Sequence, residues 1–496
     1  MSAVEERAQM RNQKADSYLR EWKRSEQCAE AMLPLVGKLY REHGVIITCY
    51  GNSLVNRGPM EIINFHQAAS QIAATEIKTT DSLPLLQAIC SMDLAPARID
   101  IGNLLTHLRK KGAVQSMADF VAEELAEVDT GRKPVLDKPR DVVLYGFGRI
   151  GRLVTRILVG KTGGGENLRL SAIVVRKGSE DDLEKRASLL RRDSVHGLFR
   201  GSVLLDKTEN ALIVNGNMIR VLYSDAPENV DYTKYGIEDA LVVDNTGIWC
   251  DREGLERHLK SPGTSKVLLT APGKDDIPNI VYGVNHKGIC EMGNALSAAS
   301  CTTNAIVPIL ETVNKAFGIN GGHVESCHSF TNDQNLIDNY HKKARRGRSA
   351  ALNMVITSTG AAKAVGKAIP ELDGVLTGNA VRVPTPNVSL AILKLDLDTE
   401  VTVEQVNDHL LKKSLEGDLV NQIDYTNSDE VVSTDFVGNR YAAIVDSRST
   451  ICLGKSCVLY VWYDNEFGYS RQVVRVLEEL AGLGLQTYPK PLSDNA

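Results

Sequence analysis

The sequence predicts an α/β protein with three parts: a helical N-terminal unit, a doubly wound parallel-sheet domain and a mixed-sheet α+β domain. Three observations carry this. Short apolar strands alternate with helical stretches from residue 141 onward, the pattern of a parallel sheet with helices on both faces. A glycine-rich turn, Gly146-Phe147-Gly148-Arg149-Ile150-Gly151, directly follows the first of those strands. Beyond Cys301, longer alternating runs at 388–397 and Ser456–Tyr463 suggest a second, mixed sheet.

The N-terminal unit comes first. Ala29, Met32, Leu33, Val36, Leu39 and Tyr40 recur at steps of three and four, and Gly44 is placed to end a helix. Residues 1–43 therefore read as one or two helices, with further helical patterns near 60–77, 97–110 and 114–127. In the last of these, Met117, Phe120, Val121 and Leu125 form an apolar stripe, while Glu123, Glu124 and Glu127 face water. The run Asp129-Thr130-Gly131-Arg132-Lys133-Pro134 then reads as a domain junction. The expected domains are a helical extension over 1–135, a nucleotide-binding domain over 139–300 completed by a C-terminal helix at 470–487, and a catalytic domain over 301–469.

Composition narrows the classes of function. With 496 residues, 43% hydrophobic and 24% charged, the chain is a globular protein of about three domains. Its 57 basic and 62 acidic residues leave a net charge of −5, so no general attraction to nucleic acid or membrane surface is expected. No apolar run reaches the ~18 residues of a membrane span, and residues 1–24 are charged, without the apolar core of a signal peptide. Nine cysteines without a CxxC pair argue against a disulfide framework or a zinc site, so no metal is expected and a cytoplasmic location is.

In the second part, Asp141-Val142-Val143-Leu144-Tyr145 is a strand, the glycine turn follows, and a helix runs over about 149–159. Further strands are expected at 170–175, Ala240–Asp244, 266–270 and 280–284. A GxGxxG match is weak alone, but this one has the strand before it and the helix after it. Gly146 permits the tight turn, Gly148 lets backbone approach a pyrophosphate, and Gly151 lets helix and sheet pack closely. The helix N-terminus adds free N–H groups and a positive dipole end. The domain is therefore expected to be Rossmann-type, binding NAD or NADP. The second strand ends in Val175-Arg176-Lys177-Gly178-Ser179, without the acid that usually holds the ribose 2′-hydroxyl of NAD. Arg176 is either a solvated charge or a group beside the adenosine that tolerates a 2′-phosphate. Glu180 or Asp181 could also fold back to take the acid's place.

Cys301 lies in Ser300-Cys301-Thr302-Thr303-Asn304, at the expected start of a helix to 317. A helix N-terminus and a nearby imidazole both lower a thiol's pKa. His328 ends an expected strand at 322–327, within reach of that helix start, while Cys327 should face away from it. A final amphipathic helix is expected over 470–483.

Taken in order, Gly146–Arg152, Asp193-Ser194-Val195-His196-Gly197, Gly283-Val284-Asn285-His286, Ser297–Asn304, Ser358-Thr359-Gly360-Ala361-Ala362-Lys363, Leu376-Thr377-Gly378, Val381-Arg382-Val383-Pro384 and Trp462–Ser470 carry a resemblance. Residues 139–487 resemble phosphorylating glyceraldehyde-3-phosphate dehydrogenases along essentially their whole length, and the first ~135 residues extend that pattern. The resemblance implies D-glyceraldehyde 3-phosphate as substrate, oxidised reversibly with phosphate and NAD(P)+ to 1,3-bisphosphoglycerate. It implies Cys301 as the nucleophile that forms a thioester and His328 as its base. Thr331 and Arg382 would hold the substrate's phosphate. Ser300, Thr302, Thr359 and Gly360, with Arg348, would hold inorganic phosphate. Asn465 would fix the nicotinamide carboxamide, with Arg149 and Ile150 along the cofactor. A homotetramer working in glycolysis or gluconeogenesis is also implied. Ala305 departs from the family's second cysteine. The segment 332–341 looks more like the related erythrose-4-phosphate dehydrogenases, though Ser358–Lys363 is intact. That activity, and a regulatory or binding protein on a dehydrogenase scaffold, are the alternatives.

Overall fold

The computed structural model describes residues 3–73, 75–112, 116–131, 135–161 and 167–490. The chain divides into two compact units: Met1–Asp137 with Gly163–Glu166 and Gly484–Ala496, and Lys138–Thr162 with Asn167–Leu483. Of the expected junction 129–134, the last three residues lie outside the described ones.

In the N-terminal unit, one helix spans Ala3–His43 and stops at Gly44, whose φ of +68° suits glycine. Helices follow at Pro59–Ile72, Thr79–Ile89, Ile101–Lys111 and Met117–Glu124. The unit is not purely helical. A four-stranded sheet runs Asn52–Ser53, Ile46–Cys49, Arg98–Asp100, Thr487–Tyr488. The helical pattern expected from residue 97 begins as strand because Asp100 is the N-cap, its carboxylate accepting from Asn103 N at 2.9 Å. The same buried carboxylate accepts from Tyr50 N, Gly51 N and Thr48 Oγ1, which ties the loop after Ile46–Cys49 to the helix start. Met32, Val36, Leu39, Ile47, Ile99, Phe120 and Tyr488 meet in the core of this unit.

The second unit holds two eight-stranded sheets. In the first, six parallel strands run in the order Ala295–Ser297, Thr264–Leu269, Ala240–Asp244, Arg140–Tyr145, Leu168–Val175 and Asn217–Tyr223. Ala211–Val214 and Val203–Asp206 extend the edge antiparallel. Arg140–Tyr145 is buried along nearly its whole length, as a central parallel strand covered on both faces must be. The helices Arg149–Lys161 and Phe467–Leu480 pack against each other in this unit. The expected strand at 280–284 is not formed. Those residues turn, and only Asn279 bridges to Ser297. The last helix ends at Leu480 rather than 487, and Thr487–Tyr488 pair with Arg98–Ile99 instead.

The second sheet runs Val355–Ser358, Leu376–Val383, Ile319–Ser329, Ser389–Leu397, Ser456–Tyr463, Ala443–Asp446, Ile423–Thr426, and its eighth strand, Ile451–Leu453, pairs off this path with Ser456–Tyr463. One face is covered by the helix Cys301–Phe317, whose Ile306, Ile309, Leu310 and Val313 pack on Val324, Ala391, Leu393 and Leu459. Cys301 thus sits at the end of a helix clamped to a sheet, which limits how far its sulfur can drift.

Candidate active site

Ser300 caps the Cys301–Phe317 helix, its Oγ accepting from Thr303 N at 3.0 Å. Just before it, Ala299 takes a φ of +55° and its carbonyl accepts from Tyr469 Oη at 2.9 Å. This bend delivers Cys301 as the first helical residue. Its Sγ stands 3.4 Å from His328 Nε2. His328 is buried near the end of Ile319–Ser329, where the parallel register sets it beside Arg382 on Leu376–Val383.

His328 Nδ1 lies 2.7 Å from Ser329 O, and in the tautomer with its proton there Nε2 faces the thiol as an acceptor. Arg382 Nη1 stands 2.6 Å from that Nδ1 and donates to Ser329 O at 3.0 Å. Burial, and then the Arg382 charge, push His328 down to about 3. Burial also pushes the Cys301 thiol up, and the Arg382 charge and the bond to Thr302 only partly oppose it. The expected lowering by the helix terminus and imidazole is therefore outweighed. Burial thus favours the neutral thiol and the neutral imidazole over the charged pair. Cys327 is half-buried and faces away, and burial followed by Glu325 raises its thiol as well.

Beside the thiol, Thr302 is gathered into a chain of hydroxyls. Thr302 Oγ1 is hydrogen-bonded to Tyr463 Oη at 3.0 Å, and Tyr463 Oη to Ser326 Oγ at 2.8 Å. Thr331 is the second residue of the loop that follows the His328 strand. Thr359 Oγ1 accepts from Ala361 N at 3.2 Å, and Gly360 is the N-cap of Ala361–Ala368, where an added Cβ would meet nothing. Arg348 is not gathered in. Its side chain is 64% exposed and paired with Asp338. Arg346, two residues earlier, is 12% exposed, paired with Asp333, and donates to Thr357 Oγ1 at 2.9 Å. Its charge also bears on His328. The sequence shows a cluster of arginines, and only the fold distinguishes which one points inward.

The glycine turn fits a dinucleotide. Gly146 has a φ of +98°. A Cβ on Gly151 would lie 2.6 Å from Gly146 O, so helix and turn touch backbone to backbone. A Cβ on Gly148 would meet nothing within 4 Å, leaving room for a pyrophosphate against the helix N-terminus. Ile150 follows in the first turn. Arg149 is held by both carboxylate oxygens of Asp193 at 3.1 Å and by Glu466, which also meets His196. Asn465, between the buried Asp464 and Glu466, is itself buried. Arg176 is exposed, and its backbone O accepts from Arg186. Asp181 pairs with Lys185 and Ser179, while Asp182 accepts from Gly178 N and holds Arg186.

A doubly wound sheet with a glycine turn, joined to a sheet that sets a cysteine against a histidine, defines a nucleotide-dependent oxidoreductase. Residues 140–252 match the model of the glyceraldehyde 3-phosphate dehydrogenase NAD binding domain, and residues 300–465 that of its C-terminal domain. A glyceraldehyde-3-phosphate dehydrogenase-like protein of Pseudomonas aeruginosa is 55% identical over 461 residues, covering 92% of this chain and 100% of the relative. Glyceraldehyde-3-phosphate dehydrogenase of Priestia megaterium is 42% identical over 344 residues, covering 69% of this chain and 98% of that enzyme. Glyceraldehyde-3-phosphate dehydrogenase 1 of Bacillus subtilis is 41% identical, covering 69% and 99%. The chain belongs to the glyceraldehyde-3-phosphate dehydrogenase family. It is a dehydrogenase of the phosphorylating type with NAD or NADP as cofactor.

Proposed function

We propose that this chain oxidises D-glyceraldehyde 3-phosphate, with inorganic phosphate and NAD(P)+, to 1,3-bisphosphoglycerate through a thioester on Cys301, reversibly. The observation that carries this reading is the 3.4 Å contact between Cys301 Sγ and His328 Nε2 at a helix N-terminus. The sulfur bonds to the aldehyde carbon while its proton passes to Nε2 and from there to the carbonyl oxygen, which gives a hemithioacetal and returns His328 to its neutral form. The bound nicotinamide supplies a hydride acceptor. As the carbon loses its hydride, His328 takes the hydroxyl proton, and a thioester remains on Cys301. A phosphate oxygen then attacks the carbonyl carbon and the thiolate departs.

Two phosphate groups must lie close to one thioester, and arginine forks, hydroxyls and helix-terminal N–H groups bind them without reacting. Thr331, Arg382 and Arg346 suit the substrate's phosphate. Ser300, Thr302, Thr359 and Gly360 suit the attacking one, and the outward, paired Arg348 suits neither as well. Asn465, Arg149 and Ile150 serve the cofactor. Without an acid at the end of the second strand, Arg176 leaves NADP acceptable beside NAD. Nine free cysteines favour a reducing cytoplasm, and among the described residues no helix is long and apolar enough to cross a membrane. A homotetramer is carried over from the family resemblance.

Steady-state NAD(P)H formation from glyceraldehyde 3-phosphate and erythrose 4-phosphate, with and without phosphate, tests the reading. Phosphate-dependent turnover favouring the three-carbon substrate is expected. Preference for the four-carbon sugar would make it an erythrose-4-phosphate dehydrogenase. Cofactor binding without turnover of either would leave a binding or regulatory protein.

A further inference from the structure

Asn465 is held through a side chain that no sequence motif singles out. Ser389 begins the strand Ser389–Leu397, is 1% exposed, and lies opposite Tyr463 in the antiparallel register. Its Oγ accepts from Ser329 N at 3.1 Å and donates to Asn465 Oδ1 at 2.8 Å. A hydroxyl has one proton. With the Ser329 N–H already directed at its oxygen, that proton goes to Oδ1. Asn465 then presents Nδ2, a donor, on its other side.

The backbone around Asn465 is fixed separately. Asp464 accepts from Glu466 N at 2.9 Å, Phe467 N at 2.7 Å and Gly438 N at 2.7 Å. The freedom left to Asn465 is rotation of its terminal amide, a broad, roughly twofold torsion. Ser389 selects one of its two orientations. The Ser329 backbone, which orients Ser389 through its N–H, also sets its carbonyl 2.7 Å from His328 Nδ1. The backbone of one residue therefore lies against both the base and the Ser389–Asn465 pair.

We propose that Ser389 is a positioning residue for the cofactor. It sets the Asn465 amide with Nδ2 toward the nicotinamide carboxamide oxygen, and it keeps that amide in register with His328. The proposal rests on the reading that Asn465 faces the nicotinamide. Calorimetric titration of the full chain with NAD+ and with ADP-ribose, which lacks the nicotinamide, tests it. Ser389→Ala should weaken NAD+ binding about fivefold, the worth of one net hydrogen bond, and leave ADP-ribose unchanged. Asn465→Ala should weaken NAD+ at least as much, and the double variant no more than Asn465→Ala alone, because Ser389 acts through that amide. Ser389→Cys, with a weak donor in the same place, should fall between wild type and Ser389→Ala. Equal weakening of both ligands by Ser389→Ala, or additive losses in the double variant, would overturn the positioning role. So would unchanged NAD+ binding in Ser389→Ala beside a weakened Asn465→Ala. Unchanged binding in Asn465→Ala would overturn the reading of Asn465 itself, and the proposal with it.

Discussion

At Cys301 the chemistry depends on which side chain holds the proton. Burial raises the thiol and lowers His328 to about 3, which favours the proton on sulfur until the bond to substrate forms. Alkylation of Cys301 by iodoacetamide should therefore climb with pH through a midpoint above that of an ordinary thiol, about 8.5. A rate already at its plateau in acid would reveal a standing thiolate–imidazolium pair. His328→Asn should lower turnover by ~10²–10⁴ with the fold intact, read as kcat beside an unchanged melting curve. The thiol and its base are legible in the sequence because each sits in a short motif at a predicted element end. Arg346 and Ser389 are not. The inward arginine is one of several in a loop, and Ser389 gains its meaning from pairing with Tyr463 and Ser329, residues distant in the chain.

Among elements, the central strand and its helix are read from sequence to within a few residues, since buried apolar runs flanked by a glycine turn have few other conformations. The helix start is then anchored by charge. Burial alone would raise Asp193, but the His196 N–H, Arg149 and the Val195 N–H outweigh it and hold it at about 2. A carboxylate depressed in this way stabilises the fold above its unfolded pKa of about 3.9, and that contribution is lost as pH falls toward 2. Asp193→Asn should cost about 2 kcal/mol at pH 7, and denaturant midpoints should converge with wild type in strong acid. A difference independent of pH would mean that packing, not the ion pair, is lost. The segment 280–284 misleads because its apolar residues, among them the buried Ile280 and Val281, serve a packed turn.

For the whole molecule, the N-terminal unit was the least legible. Its strands are two to four residues long, too short for alternation to register, and one comes from the far end of the chain. Tyr488 is buried in that unit's core, its hydroxyl donating to Glu127 at 2.8 Å. Tyr488→Ala should destabilise the N-terminal unit by about 3–5 kcal/mol, the range for a large buried aromatic, while oxidation kinetics stay unchanged. Hydrogen exchange resolved by segment would check this, with protection lost over 46–53 and 98–111 but kept over 140–145. Loss over both would mean the two units unfold together. The proposed chemistry runs through the thioester at Cys301, which a single-turnover experiment without phosphate would expose. Mixing enzyme with glyceraldehyde 3-phosphate and NAD+ should give a rapid burst of NADH of about one equivalent per chain, then near arrest until phosphate is added. Continuous turnover without phosphate, or a burst of the same size from Cys301→Ser, would contradict it.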